Sequence, residues 1–213
     1  MATMTKLRRG LAAAALAGLA LGSAQAQLTE NFDDFGALAG AGWVFTNTSS
    51  APGQSWFQGN AGVFTAQSGA DDSYAAANFL STTELNGSIS NWLITPQIQL
   101  SGGEALSFWA RAADAGFLDG LNLYISLDGG SDVSTFTPFG STGVLGTEWT
   151  PYAATVPALA GLSTVRLAFQ YAVADAETAN YIGLDTIAVV PEPASALLLG
   201  LGCAALLARR RLR

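Results

Sequence analysis

The chain of 213 residues contains no histidine. That excludes Ser-His-Asp and Cys-His catalytic groupings and histidine-ligated zinc. It has a single cysteine, Cys203, close to its C-terminal end. No disulfide can therefore form within the preceding residues, whatever the redox compartment. Cations are scarce in the middle of the chain. Between Gln27 and Val190, only Arg111 and Arg166 stand against fifteen Asp and Glu, a net charge of -13. A segment this acidic does not bind nucleic acid by neutralising phosphates. It stays soluble by self-repulsion and can attract cations. Outside two Ala/Leu-rich ends, no long stretch repeats its apolar residues with the 3.6 period of a helix. No glycine-rich phosphate loop lies between a strand and a helix, and "LDGGSD" reads as a hairpin turn.

The two ends are different. Lys6, Arg8 and Arg9 precede the apolar run "LAAAALAGLAL", and Ala24 and Ala26 follow in an A-x-A arrangement. This is the layout of a secretory signal over residues 1–26, cleaved after Ala26 and used by the Sec machinery. An uncleaved anchor is the alternative. At the other end, residues 191–213 hold Pro191, Glu192 and Pro193, then an apolar stretch over 194–208, then Arg209, Arg210, Arg211 and Arg213. As a helix, 194–208 would be about 22 Å long, against a hydrocarbon core of roughly 30 Å. Such a segment lodges in a membrane only marginally, with its arginines on the cytoplasmic side. The prolines keep a helix from running back into the preceding residues. They leave an extended segment that a protease can reach. This tripartite tail resembles the PEP-CTERM sorting signal of Gram-negative bacteria. The resemblance implies recognition by an exosortase, transient inner-membrane anchoring through 194–208, and removal of the tail near Pro191. It also implies placement at the cell surface or in an extracellular matrix, in biofilm or exopolysaccharide. A plain C-terminal anchor remains the alternative.

Between the ends, apolar and polar residues alternate with the period of half-buried strands. In "LNLYISL", Leu121, Leu123, Ile125 and Leu127 share one face. In "VRLAFQY", Val165, Leu167, Phe169 and Tyr171 do the same. "ALSFWAR" and "NYIGLDTIAVV" also read as strands, separated by "LSGGE", "LDGGSD" and "GSTGVLG". The expectation for 27–190 is one all-β domain, a jelly-roll-like β-sandwich of ten or more short strands in two sheets. The order "ENFDDFGAL", "GW", "SWFQG", "NWLITPQIQLSGGEALSFWAR", "LYISLDGG" and "YIGLDTIAV" resembles the choice-of-anchor J domain, related to cleaved-adhesin and MAM-type jelly rolls. "WLITP", from Trp92 to Pro96, is the most specific piece.

Three functional classes follow. The first is a non-catalytic exported surface or matrix protein. The second is a carbohydrate-binding adhesin module, with Trp109 and Trp149 as exposed aromatics for sugar faces and Trp43 and Trp92 assigned to the core. The third is a glycan-active enzyme, which needs two paired carboxylates; no two acids stand out as such a pair. The carboxylate excess, and the resemblance to jelly rolls that hold an ion where the first strand meets the last, point to a structural calcium. Its candidate ligands are Glu30, Asp33 and Asp185, with oxygen ligands required at about 2.3–2.6 Å. Glu30 and Asp33 would point to opposite faces of a regular strand, so joint ligation requires a bend between them. Solvated strand-end acids are the alternative.

Overall fold

The computed structural model describes residues 26–191. The signal sequence up to residue 25, with Ala24, and the tail from Glu192 to Arg213 lie outside the described residues. Within them, twelve strands, numbered in chain order, form two six-stranded antiparallel sheets. The first sheet runs β10 (Thr150–Thr155), β7 (Ala105–Ala112), β12 (Tyr181–Val190), β4 (Ala75–Asn78) and β3 (Phe57–Gln58), with β1 (Leu28–Glu30) also on β12. The second runs β2 (Val44–Asn47), β5 (Ile89–Ile94), β11 (Ser163–Val173), β8 (Gly120–Ser126) and β9 (Thr137–Val144), with β6 (Ile98–Leu100) also on β11. The architecture is the β-sandwich that the alternation predicts. No helix among the described residues is long and apolar enough to cross a membrane.

The period-two faces close on each other. Leu106, Phe108, Ile182 and Leu184 of the first sheet meet Leu123, Ile125, Leu167 and Phe169 of the second in one buried cluster. Phe108 and Phe169 join the layers edge to face, with centroids 5.2 Å apart. Leu127 does not join them. It stands beyond the end of β8 and is exposed, because the chain turns at Gly129 with φ 67°. The edge strands β9 and β10 carry Pro138 and Pro151, which lack the N–H that a docking strand would need.

The "WLITP" block has a backbone reason. Pro96 interrupts the ladder between β5 and β6, since it cannot donate. Thr95 repairs the gap: its N–H donates to Leu167 O, and its Oγ1 accepts from Leu167 N at 2.9 Å. Arg166 secures the same corner by donating to the carbonyls of Gly42, Thr95 and Gly129.

β12 contains a bulge. Its register on β7 slips between Asp185 and Ala188, and Thr186 has φ 51°. The extra residue switches the inward positions from Ile182 and Leu184 to Ile187 and Val189. Asp185, just before the shift, faces away from the core by ordinary alternation with Leu184, beneath the 59–74 connection. A second departure occurs at Phe32, with φ 56°. It bends the chain just after β1 and sends the Phe32 ring into the core.

Trp92 is buried, at 5% exposure, but not between the sheets. It lies on the outer face of the second sheet with Ile94 and Ala168, under Phe136 from the β8–β9 connection. Its Nε1 donates to Ser90 Oγ and Thr48 Oγ1.

The sandwich has two distinct poles. Gln27 and Pro191 lie together at one, since Leu28 pairs with Val189. β12 leads away from there for about 33 Å. The connections 48–56, 79–88, 113–119 and 174–180 form the opposite pole.

Candidate functional site

Two regions gather candidate functional residues. The first is the outer face of the first sheet, where the fold brings together Trp109, Asp185 and, just before β10, Trp149. Asp185 and Trp109 are cross-strand partners. The 59–74 connection folds over this face. Phe64 and Tyr74 stack at 4.9 Å, and Trp149 meets both edge-on. Trp149 Nε1 donates to Thr65 O. Gly183 lies directly below: a Cβ there would come within 2.8 Å of Phe64 and of Trp149. Trp149 is thus committed to packing on both edge and nitrogen. Trp109 remains half-buried on the same face, two residues from Arg111. The Arg111 guanidinium lies 4.2 Å above the Phe64 ring.

Asp185 fastens the 59–74 connection. Its carboxylate is fully buried and accepts from Gln67 N and Ser68 N on one oxygen, and from Thr186 N and Thr186 Oγ1 on the other. Burial holds its pKa above the ordinary carboxylate range, and these hydrogen bonds offset part of the rise. The three calcium candidates are brought to the same end of the β1–β12 ladder, where Glu30 pairs with Ile187. The bend expected between Glu30 and Asp33 is present at Phe32. Glu30 Oε1 accepts from Phe32 N. Among the described residues no three His, Cys, Asp or Glu side chains converge as metal ligands. Three backbone N–H donors, with the Thr186 hydroxyl shared between Asp185 Oδ1 and Gln67 Oε1, take up most of the about four lone-pair sites of the Asp185 carboxylate.

The second region is a groove at the pole opposite Gln27 and Pro191, and sequence reasoning missed it. Phe79, Leu80, Leu85, Phe117, Ala176 and Ala179 line a cavity of about 820 Å³. Leu85 is 77% exposed, Leu80 49% and Phe79 46%. Contiguous exposed apolar side chains of this size mark interaction surfaces more often than chance patches. Glu84 and Glu177 also line the groove and are exposed. The only signal in the sequence is local. "NFLSTTELNG" places Phe79, Leu80 and Leu85 among turn residues, outside any strand alternation.

The groove walls are braced by backbone bonds. Gln54 N donates to Leu80 O, Phe79 N to Asn180 O, Leu118 N to Thr178 O and Ala176 N to Gly87 O. Asn91, fully buried, donates to Gln54 O and Ser81 Oγ behind one wall. Behind the other, Asp119 accepts from Tyr171 Oη at 2.6 Å and from Asn180 N at 3.0 Å. Burial also raises the Asp119 pKa, with partial relief from these donors. A wall held this way needs little ordering to receive a ligand.

Residues 189–211 match the PEP-CTERM protein-sorting motif. The motif implies an exported, surface-attached protein, and its match begins inside β12. No curated protein sequence matches the chain. Solved structures do. The K2 cleaved adhesin domain of Lys-gingipain superposes with a TM-score of 0.59 at 20% identity, covering 76% of this chain and 96% of that domain. The K3 cleaved adhesin domain of Lys-gingipain from Porphyromonas gingivalis W83 gives 0.57 at 23% identity, covering 78% and 98%. The K1 domain from the same strain gives 0.56 at 23%, covering 76% and 96%. At these identities the likeness is one of fold.

Proposed function

We propose that this chain, a PEP-CTERM protein built on a cleaved-adhesin-like sandwich, is a non-catalytic surface or matrix protein that an exosortase releases from its tail near Pro191. The observation that carries this reading is the polarity of the fold. β12 continues directly into the sorting motif, while the apolar groove opens at the other end of the same strand. A tail held in the inner membrane would therefore point the groove outward. Removal of the tail would leave the sandwich intact, because every strand among the described residues lies before Pro191. Association with exopolysaccharide is part of the proposal and is supported only by the sorting motif. The absence of histidine and of an evident carboxylate pair speaks for binding rather than catalysis.

Expression of the full chain and of a variant ending at Val190 in the producing cells tests this. The full chain should pass through a membrane-bound form to a shortened surface form, and loss of the exosortase should trap the longer one. Accumulation of the full-length chain at the surface would end the proposal.

A second reading, carbohydrate binding, has Trp109 beside Arg111 on the outer face of the first sheet to support it. Recovery of polysaccharide with the surface protein, lost in Trp109→Ala, would favour it. A structural calcium held by Glu30, Asp33 and Asp185 is a separate proposal. The carboxylate excess supports it, and the donors on Asp185 argue against it. Melting with calcium and with chelator decides. An ion at a hundredfold excess over its Kd adds about 2.7 kcal/mol, and equal melting temperatures would end the idea.

A further inference from the structure

We infer that the distal groove is a docking site for a polypeptide segment that combines apolar side chains with lysine or arginine. The inference uses the proposed surface display only for the groove's outward orientation. Its floor is apolar and preformed. Its lining carboxylates, Glu84 and Glu177, make no side-chain hydrogen bond within the described residues, while their backbone N–H groups are held by Thr82 Oγ1 and Asp175 Oδ1. Burying the apolar floor therefore brings two uncompensated negative charges against the occupant, and a cationic flank relieves them.

Other occupants fit less well. A second copy of the domain brings net charge -13 against -13. Its two cations are already engaged: Arg166 on three carbonyls and Arg111 over Phe64. A saccharide could meet the side chains of Gln54, Asn180, Glu84 and Glu177, but it would leave the aliphatic floor of Leu80, Leu85, Ala176 and Ala179 without apolar partners, which a peptide's side chains supply. An apolar anchor in such a pocket contributes affinity, and the charged rim sets orientation and on-rate.

The test uses the protein purified from the surface of the producing cells. The probes are a short amphipathic peptide of leucine and lysine, its leucine/glutamate counterpart, and vesicles of phosphatidylcholine. Binding is measured by calorimetry at low and high salt. The leucine/lysine peptide should bind, more weakly as salt rises. Leu85→Ser, at an exposed position, should weaken it by about tenfold without changing the charge. Glu84→Lys with Glu177→Lys should weaken it by at least about tenfold and shift preference to the leucine/glutamate peptide. Asp71→Lys, on the 59–74 connection, should leave affinity within about twofold. Binding unchanged by the Leu85 and glutamate variants overturns the inference. So does a preference for vesicles over the peptide, or no binding of the peptide at all. None of these outcomes depends on whether the tail has been removed, which mass analysis reads separately.

Discussion

The same substitution at two buried acids should have opposite effects. Asp119 and Asp185 are both fully buried, and burial raises both pKa values. Their hydrogen bonds differ. At Asp119 the Tyr171 hydroxyl and the Asn180 N–H both reach Oδ1, at 2.6 and 3.0 Å; Oδ2 receives a longer 3.3 Å branch from Asn180, and the Tyr181 N–H is a further, weaker donor to the carboxylate. Asparagine can keep its carbonyl at Oδ1, retain both short bonds and remove a buried charge. At Asp185 each oxygen serves backbone donors, Gln67 N and Ser68 N on one and Thr186 N on the other, with the Thr186 hydroxyl shared with Gln67 Oε1. An amide nitrogen at either position faces these donors and leaves at least one of them unsatisfied. Each unsatisfied buried group costs about 1–3 kcal/mol. Less the relief of the charge, Asp185→Asn should lose about 2–4 kcal/mol, or a melting temperature lower by about 10 °C. Asp119→Asn should be neutral or stabilising by up to about 1 kcal/mol above neutral pH. Circular dichroism melts of the three proteins in one buffer measure this. An Asp185→Asn variant that melts with the wild type, or two variants that shift equally, would refute the reasoning.

The remaining predictions follow from the same contacts. Raised carboxyl pKa values mean that the folded state holds these protons more tightly than the unfolded one. The stability from Asp119 and Asp185 is complete below the unfolded Asp value of about 3.9 and is lost as pH rises through their raised folded values. Self-repulsion among the acids acts in the same direction, so the melting temperature should fall as pH rises above the unfolded Asp value, and less steeply in Asp119→Asn. A higher melting temperature at the alkaline end would contradict this. Trp92→Ala removes a buried ring that lies 4.6 Å from Tyr124 and 6.0 Å from Phe136, and it should cost about 3–5 kcal/mol in a chemical denaturation curve. An unchanged midpoint would place that ring in solvent.

Much of the sandwich was legible because a half-buried strand writes its burial into alternate residues. Val165, Leu167, Phe169 and Tyr171 all face the core, as their spacing requires. The pattern fails where the backbone changes parity. "YIGLDTIAVV" reads as one strand, yet the bulge at Thr186 exchanges its faces midway, and no residue in the run marks a positive φ. Trp92 was legible as buried but not as outside the main core, because its cover, Phe136, comes from a connection more than forty residues away. The groove was illegible for a related reason. Its walls come from four connections, joined by backbone bonds such as Phe79 N to Asn180 O that no local pattern encodes. The acids at the β1–β12 junction were legible as neighbours, since first and last strands do pair there. The role of Asp185 was not, because its donors Gln67 and Ser68 lie over a hundred residues earlier.

We propose that the sandwich is the displayed product and that the tail is removed. Intact-mass analysis of the protein recovered from the surface of the producing cells tests it most directly. The surface protein should begin near Gln27, end near Pro191 and lack Arg209 to Arg213. A surface form that still carries the intact arginine tail would contradict it.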